Sequence, residues 1–448
     1  MTRFRFPHSL TLLVVCIFLA AILTHLLPAG EFQRHEDPST GRTVVVAGTY
    51  AHVDPAPVGV FATLIAIPKG IEDAGSVVVL IFLVGGAFAV VERAGTLGRL
   101  VNWLVGKLAH RDVLVIPVAS VVFALGGVTE HAQEELIAFV PALLLLTRSL
   151  GFTPLTIVAM SLGSSAIGAA FGPVDPFSVL IAQRLAQLTP GSGLGFRLAF
   201  LVPALVIWIW GTMRFAERTR TSPAAAADVA ASASLEPRDL VIVTSIVAAL
   251  ALYVYGAQKL DWEFDQLSAM FFAVGVIAGL LGRLGVDGTA EAFVDGFRSM
   301  AYAGLLVGFA RAIYVVLSEG KIVDTIVNGL FAPIGGLPPA ISGIGMMVAH
   351  TAIHFPVPST SGQAVLTLPL LVPLSDLIGL SRQVTVLAYQ YGAGLCEVLT
   401  PTNGALMAML AAAGVRYEDW LRFVLPLWGL LATLGAAALA LAVATGLH

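Results

Sequence analysis

The chain has 448 residues, 57% of them hydrophobic and 12% charged, with a formal net charge of −4. A soluble chain carries about 25% charged residues, so the composition excludes an ordinary soluble globular protein and points to helices buried in lipid or in one another. The negative balance excludes an electrostatic binder of nucleic acid, and Cys16 and Cys396 sit inside apolar segments without metal-ligand spacing or a disulfide framework.

In chain order, Arg3 and Arg5 precede an apolar run from Leu10 to Leu27. It is longer than a signal-peptide core and ends without a small-x-small site, so it reads as an uncleaved first span. Residues 31–58 read as an extracytoplasmic loop with a β-like run from Thr43 to Val46. Continuous segments near the spanning length lie at 9–27, 76–93, 196–215, 238–257, 265–284, 300–318 and 420–446. Two apolar stretches, 153–188 and 382–413, are interrupted, the first at Phe171 to Pro176 and the second at Leu399 to Gly404. Regions 113–147 and 337–375 look like paired short legs around polar tips, which suggests re-entrant hairpins; two ordinary helices and a loop are the alternative for each. Residues 95–109 and 286–298 are short and mixed, as expected of helices lying in the interface. The alanine-rich polar stretch 217–236 reads as a cytoplasmic linker between a first half, 1–216, and a second half, 237–448.

With a cytoplasmic N-terminus and nine crossings, 15 of the 24 basic residues fall on the cytoplasmic side, the sign that the positive-inside rule requires of an inner-membrane protein. Subtracting 228 carries Pro369 to Pro141, Gly379 to Gly151, Pro401 to Pro173 and Asn403 to Asp175. Each half runs span, interfacial helix, hairpin, broken helix, span. The expected fold is therefore an all-α polytopic membrane protein of two inverted repeats, a plan that alternates access by moving one part against another.

Broken backbone at membrane depth is stable only in a wet cavity or buried in protein. Free N–H groups at helix starts favour anions and free carbonyls at helix ends favour cations. The second tip offers Ser359, Thr360, Ser361 and Gly362, and the second break offers Thr400, Pro401, Thr402 and Asn403; ordinary helix capping is the bland reading of both. The first tip carries Thr129, Glu130, His131, Glu134 and Glu135, and the first break carries Asp175. Intramembrane carboxylates are costly and as a rule functional. A lone histidine is more often structural than a proton relay. A hydroxyl-rich half facing an acidic half suits a zwitterionic or cationic amino acid better than a dicarboxylate. Arg311, mid-span, pairs either with a substrate carboxylate or with a structural acid such as Glu397. No nucleotide-binding motif and no nucleophile or metal-protease motif occurs. The expectation is a carrier rather than a channel or enzyme, without a cofactor and driven by Na⁺ or H⁺, with Na⁺ candidate sites at the tips and breaks.

Several stretches resemble the YfcC-like branch of the C4-dicarboxylate anaerobic carrier family, within the ion transporter superfamily. They are LPAGEF (Leu27 to Phe32), GRTVVVAGTY (Gly41 to Tyr50), IPKGIEDA (Ile67 to Ala74), FALGG (Phe123 to Gly127), GFARAIYVVLSEGKIVDTI (Gly308 to Ile326), PSTSGQAVLTLPL (Pro358 to Leu370) and LAYQYGAGLCEVLTPTNG (Leu387 to Gly404). The resemblance implies a scaffold and a transport domain, elevator-like movement, a homodimer, and sites at the tips and breaks. The family includes members linked to C4-dicarboxylates and members linked to basic amino acids. Glu130 and His131 depart from it, as do Ala393, where an aspartate is common, and Glu397, where a small polar residue is.

Overall fold

The computed structural model describes residues 8–37, 42–100, 103, 114–137, 139–221, 235–260 and 262–447. Among them, seven helices are long and apolar enough to cross a membrane. Six coincide with expected continuous spans; the other, Pro154–Phe171, is the first arm of the first broken stretch. The expected span 238–257 is the helix Pro237–Lys259. Large apolar side chains such as Leu19, Ile22, Val118, Val122, Val202 and Leu430 lie exposed on outer faces, where lipid rather than water is the compatible solvent.

Two expectations change. Residues 286–298 are no separate interfacial helix. They open one continuous helix, Gly285–Glu319, of 35 residues, about 50 Å long at 1.5 Å per residue. No proline interrupts it, and the buried faces of both parts pack on Gly75–Arg93. The mixed helix Val60–Asp73, which lies against the same long helix, was not expected. Most of 95–109, and the linker from 222 to 234, lie outside the described residues.

The β structure is two short antiparallel ribbons, Gly30–Glu31 with Ala51–His52 and Arg34–Asp37 with Arg42–Val45. Buried Asp324 fastens them to the body: it accepts from Phe32 N at 2.8 Å and from Arg34 Nη2 at 2.8 and 2.9 Å. Strand Arg42–Val45 lies against the second hairpin.

Both paired-leg regions fold as helical hairpins. The first has legs Val115–Glu130 and Val140–Leu150, with the short helix Glu134–Ile137 between them. The second has legs Pro339–Ile353 and Thr360–Leu377. Gly126 and Gly127 lie in the first leg. A Cβ on Gly127 would stand 1.9 Å from Ser165 O, and one on Gly168 would stand 2.2 Å from Ala124 O. These glycines let the leg and the helix Pro154–Phe171 approach backbone to backbone, as small residues do between membrane helices.

Both interrupted stretches break where the prolines fall. Helix Pro154–Phe171 stops at Gly172, and a second arm runs over 176–185. Helix Arg382–Cys396 stops before Pro401, and Gly404–Ala413 follows. Each second arm begins with a side-chain cap. Asp175 Oδ1 accepts from Phe177 N and Ser178 N, and Asn403 Oδ1 accepts from Leu406 N. Gly151 and Gly379, the other matched pair, share a left-handed backbone, with φ of 76° and 68°.

Candidate functional site

The four interruptions meet. Around them lies a cavity of about 410 Å³, within the size range of small-ligand sites. The first tip supplies His131, Gln133, Glu134 and Glu135; the second supplies Ser359, Thr360 and Ser361; the second break supplies Glu397, Thr402 and Asn403. Outside these interruptions, Asp73, Glu263 and Arg311 also line the cavity.

His131 is the joint. It ends the first leg at φ 56°, the left-handed cap that glycine usually fills. Its Nδ1 lies 2.5 Å from Asp175 Oδ2. Its Nε2 lies 3.2 Å from Gln133 Nε2, 3.4 Å from Thr360 Oγ1 and 3.8 Å from Glu397 Oε1. One imidazole thus touches the first break, the second tip and the second break. The other oxygen of Glu397 accepts from Asn403 Nδ2, and Asn403 Nδ2 also reaches Gln133 Oε1 at 3.4 Å. Behind Glu397 stands a sealed polar chain of His354, Gln363 and His350, each 0% exposed.

At the second tip, Ser359 caps the leg Thr360–Leu377 by accepting from Gly362 N at 3.2 Å. The start of that 18-residue helix faces the cavity with Ser359, Thr360 and Ser361, a placement that favours a carboxylate. Tyr389 Oη donates to Thr360 O at 2.7 Å and fixes the tip from behind.

The remaining expected site residues fall at differing distances from the cavity. Thr400 and Pro401 stand behind it, with Thr400 Oγ1 2.7 Å from Thr402 Oγ1. Asp175 is buried behind His131 rather than lining the cavity. Gly362 lines a second cavity of about 550 Å³ on the ribbon side of the same tip. Thr129 stands apart: it is exposed and donates to Leu125 O of its own helix at 2.9 Å. Arg311 lines both cavities, as do Pro358, Ser359 and Ser361. Its acid is Asp73, not Glu397, and its guanidinium also stacks 4.9 Å from the Tyr314 ring. Glu397 lies on the other wall, engaged by Asn403.

The reading of His131 as a lone histidine is corrected, since it bridges three interruptions. Sequence reasoning missed Gln133, His350, His354 and Gln363 as site residues, and met Glu397 only as a partner for Arg311 and as a departure from the family. A signal was there. His350 and His354 stand four residues apart on one face of an apolar leg, and ionisable residues in such a leg are functional by default. Among the described residues, no group of three or more His, Cys, Asp and Glu is arranged to hold a metal ion.

Known proteins place the chain. The family described as "C4-dicarboxylate anaerobic carrier" matches residues 6–444. The Escherichia coli (strain K12) protein named "Putative basic amino acid antiporter YfcC" is 29% identical over 96% of this chain and 94% of its own. An uncharacterized protein of Haemophilus influenzae is 28% identical over 97% and 96%. Two solved structures align at a TM-score of 0.44 each. MtrF of Neisseria gonorrhoeae, described within a class of antimetabolite efflux pumps, is 18% identical and covers 97% of this chain and 95% of its own. The YdaH transporter of Alcanivorax borkumensis is 16% identical and covers 98% and 99%. On the family match over nearly its whole length, and with seven helices fit to cross a bilayer, the chain is an integral multi-pass membrane protein belonging to the C4-dicarboxylate anaerobic carrier family.

Proposed function

We propose that the chain is a secondary active transporter of a small carboxylate-bearing solute, a cationic amino acid above all. The observation that carries the choice is the charge of the cavity wall. Five carboxylates, Asp73, Glu134, Glu135, Glu263 and Glu397, face one guanidinium, Arg311, which Asp73 already engages. A solute with a second positive group balances that wall, while its α-carboxylate suits the helix start at Ser359 to Ser361. The printed name of the YfcC relative, a basic amino acid antiporter, agrees with this reading.

Transport through a binding site within the membrane needs alternating access. The matched order of hairpin and broken helix in the two halves supports inverted repeats, and the same elements support a transport domain that moves past a scaffold in elevator fashion. An inner-membrane location with a cytoplasmic N-terminus, re-entrant seating of both hairpins and a homodimer belong to the same proposal. The second reading is a C4-dicarboxylate carrier. The family description and the two helix starts, Thr360 and Gly404, favour it, but a second carboxylate would meet the acidic wall.

A ligand that binds the folded state raises its apparent stability by mass action. A thermal-shift screen of the detergent-purified protein with L-arginine, L-lysine, L-ornithine and C4-dicarboxylates tests the reading. Stabilisation by the cationic amino acids, weakened in Ser361→Ala and Asn403→Ala, is expected. Stabilisation by dicarboxylates alone would end it.

A further inference from the structure

We propose that Glu397 and His354 share one exchangeable proton, and that this proton is the ion exchanged for the cationic cargo. The reasoning is hydrogen-atom bookkeeping along a buried chain. Gln363 Nε2 lies 2.8 Å from the His350 carbonyl oxygen. A carbonyl only accepts, so this corner of the amide is its NH₂ end. The amide oxygen then faces His354 Nδ1 at 2.9 Å. An amide oxygen also only accepts, so His354 carries hydrogen on Nδ1.

In a neutral His354 the other nitrogen, Nε2, is then a bare lone pair. It lies 3.2 Å from Glu397 Oε1. An ionised Glu397 would set lone pair against anion in a sealed site, a repulsive contact. One proton on either atom removes the conflict. His354 Nε2 is fully buried and outside hydrogen-bond alignment with any partner among the described residues, so a small rotation of either side chain makes or breaks the bond that holds the proton.

The surroundings leave this pair to itself. The far oxygen of Glu397 accepts from Asn403 Nδ2, and Oε1 also has His131 Nε2 at 3.8 Å. His131 in turn is held by Asp175, whose other oxygen accepts two backbone N–H groups. The other ionisable groups facing this region include His350 behind Gln363, Cys396 beside Glu397, Tyr389 behind Thr360, and Glu134, Glu135, Glu263 and the Asp73–Arg311 pair across the cavity. Among the described residues, no lysine or arginine forms an ion pair with Glu397. Its oxygens are met by N–H donors and imidazole nitrogens, not arranged as a cage for Na⁺.

Glu397 lines the cavity, while His354 lies sealed behind it. A cationic group entering the cavity and the proton on the pair therefore compete for one carboxylate. Binding of the ammonium or guanidinium group sends one proton to bulk water, and reprotonation expels the cation. That competition is the elementary condition for exchange. The cargo in this statement rests on the proposed function; the proton site does not.

Isothermal titration of L-arginine into purified full-length protein, repeated in buffers of different ionisation enthalpy between about pH 5 and 8, reads the protons released. Release of about one proton per bound amino acid is expected, with the release lost in His354→Gln. Binding with no proton release at any pH overturns the exchange. If L-arginine does not bind, the cargo reading fails, and pH-difference infrared spectra of the protein in lipid decide the proton site. A titrating band lost in Glu397→Gln supports it, and identical spectra overturn it. For variants that misfold, ¹⁵N-histidine spectra of the wild type serve: hydrogen on His354 Nδ1 supports the assignment, and hydrogen on Nε2 alone overturns it.

Discussion

His354 Nδ1 lies 2.9 Å from the amide oxygen of Gln363, and this one contact fixes which nitrogen of a sealed imidazole faces the cavity carboxylate. Gln363 is the orienting group because its own NH₂ is tied to the His350 carbonyl at 2.8 Å and to His350 Nδ1 at 2.9 Å.

Gln363→Leu keeps the volume and removes the acceptor. His354 Nδ1–H and His350 Nδ1 then lose their partner in a region closed to water, while the His350 carbonyl keeps only its backbone donor, His354 N at 3.0 Å. An unsatisfied buried polar group costs about 1–3 kcal/mol, so a clear fall in melting temperature in detergent is expected. An unchanged melting temperature would mean that the chain His354–Gln363–His350 is not formed.

His131 offers a test that separates backbone from side chain. At φ 56° a non-glycine residue is disfavoured by about 1–2 kcal/mol. His131→Gly relieves that cost and deletes the imidazole; His131→Ala deletes the imidazole alone. The glycine variant should be the more stable of the two by about 1 kcal/mol, and both should lose ligand-induced stabilisation. Equal melting temperatures would contradict the left-handed cap, and an intact ligand response in both would remove His131 from the site.

Gly127→Val places a branched side chain where even a Cβ would stand 1.9 Å from the Ser165 carbonyl oxygen. Neither backbone can yield without parting the first hairpin from the helix Pro154–Phe171. A loss of about 3 kcal/mol or more is expected, seen as failure to purify as a monodisperse species. A variant that purifies normally and keeps its melting temperature would show that the two helices do not touch there.

Much of this was legible in the sequence, because lipid imposes simple rules. Apolar runs such as Leu10 to Leu27 and prolines inside apolar stretches mark spans and breaks on their own, and the caps at Asp175 and Asn403 fell on the matched positions. What stayed hidden is what depends on neighbours. Val60–Asp73, with Pro68 and Lys69 inside it, is too mixed to read as a helix alone and forms against Gly285–Glu319. The partner of Arg311 was 238 residues away in that mixed helix, at Asp73. His350 and His354 acquire meaning only once Gln363 and Glu397 are brought beside them.

Outside the spans, Arg382 beside Asp376 holds that carboxyl below the usual carboxylate range, chiefly through hydrogen bonds at 2.7 and 3.0 Å. A carboxyl depressed in the folded state adds stability above its unfolded value, near pH 3.9, and loses it as pH falls through the lower folded value. Both side chains are partly exposed, so solvent limits the effect to under about 1 kcal/mol. Asp376→Asn should lower the melting temperature slightly at neutral pH, and the gap should close as pH drops below about 4. A gap that widens in acid would contradict the pairing.

Four interruptions of regular backbone meet at an acidic cavity, proposed above to carry a cationic amino acid. Counterflow into proteoliposomes preloaded with unlabelled solute tests it most directly, with labelled L-arginine and labelled succinate run side by side. Uptake of L-arginine that is lost in Glu397→Gln is expected, with little uptake of succinate. Uptake of succinate alone would contradict it.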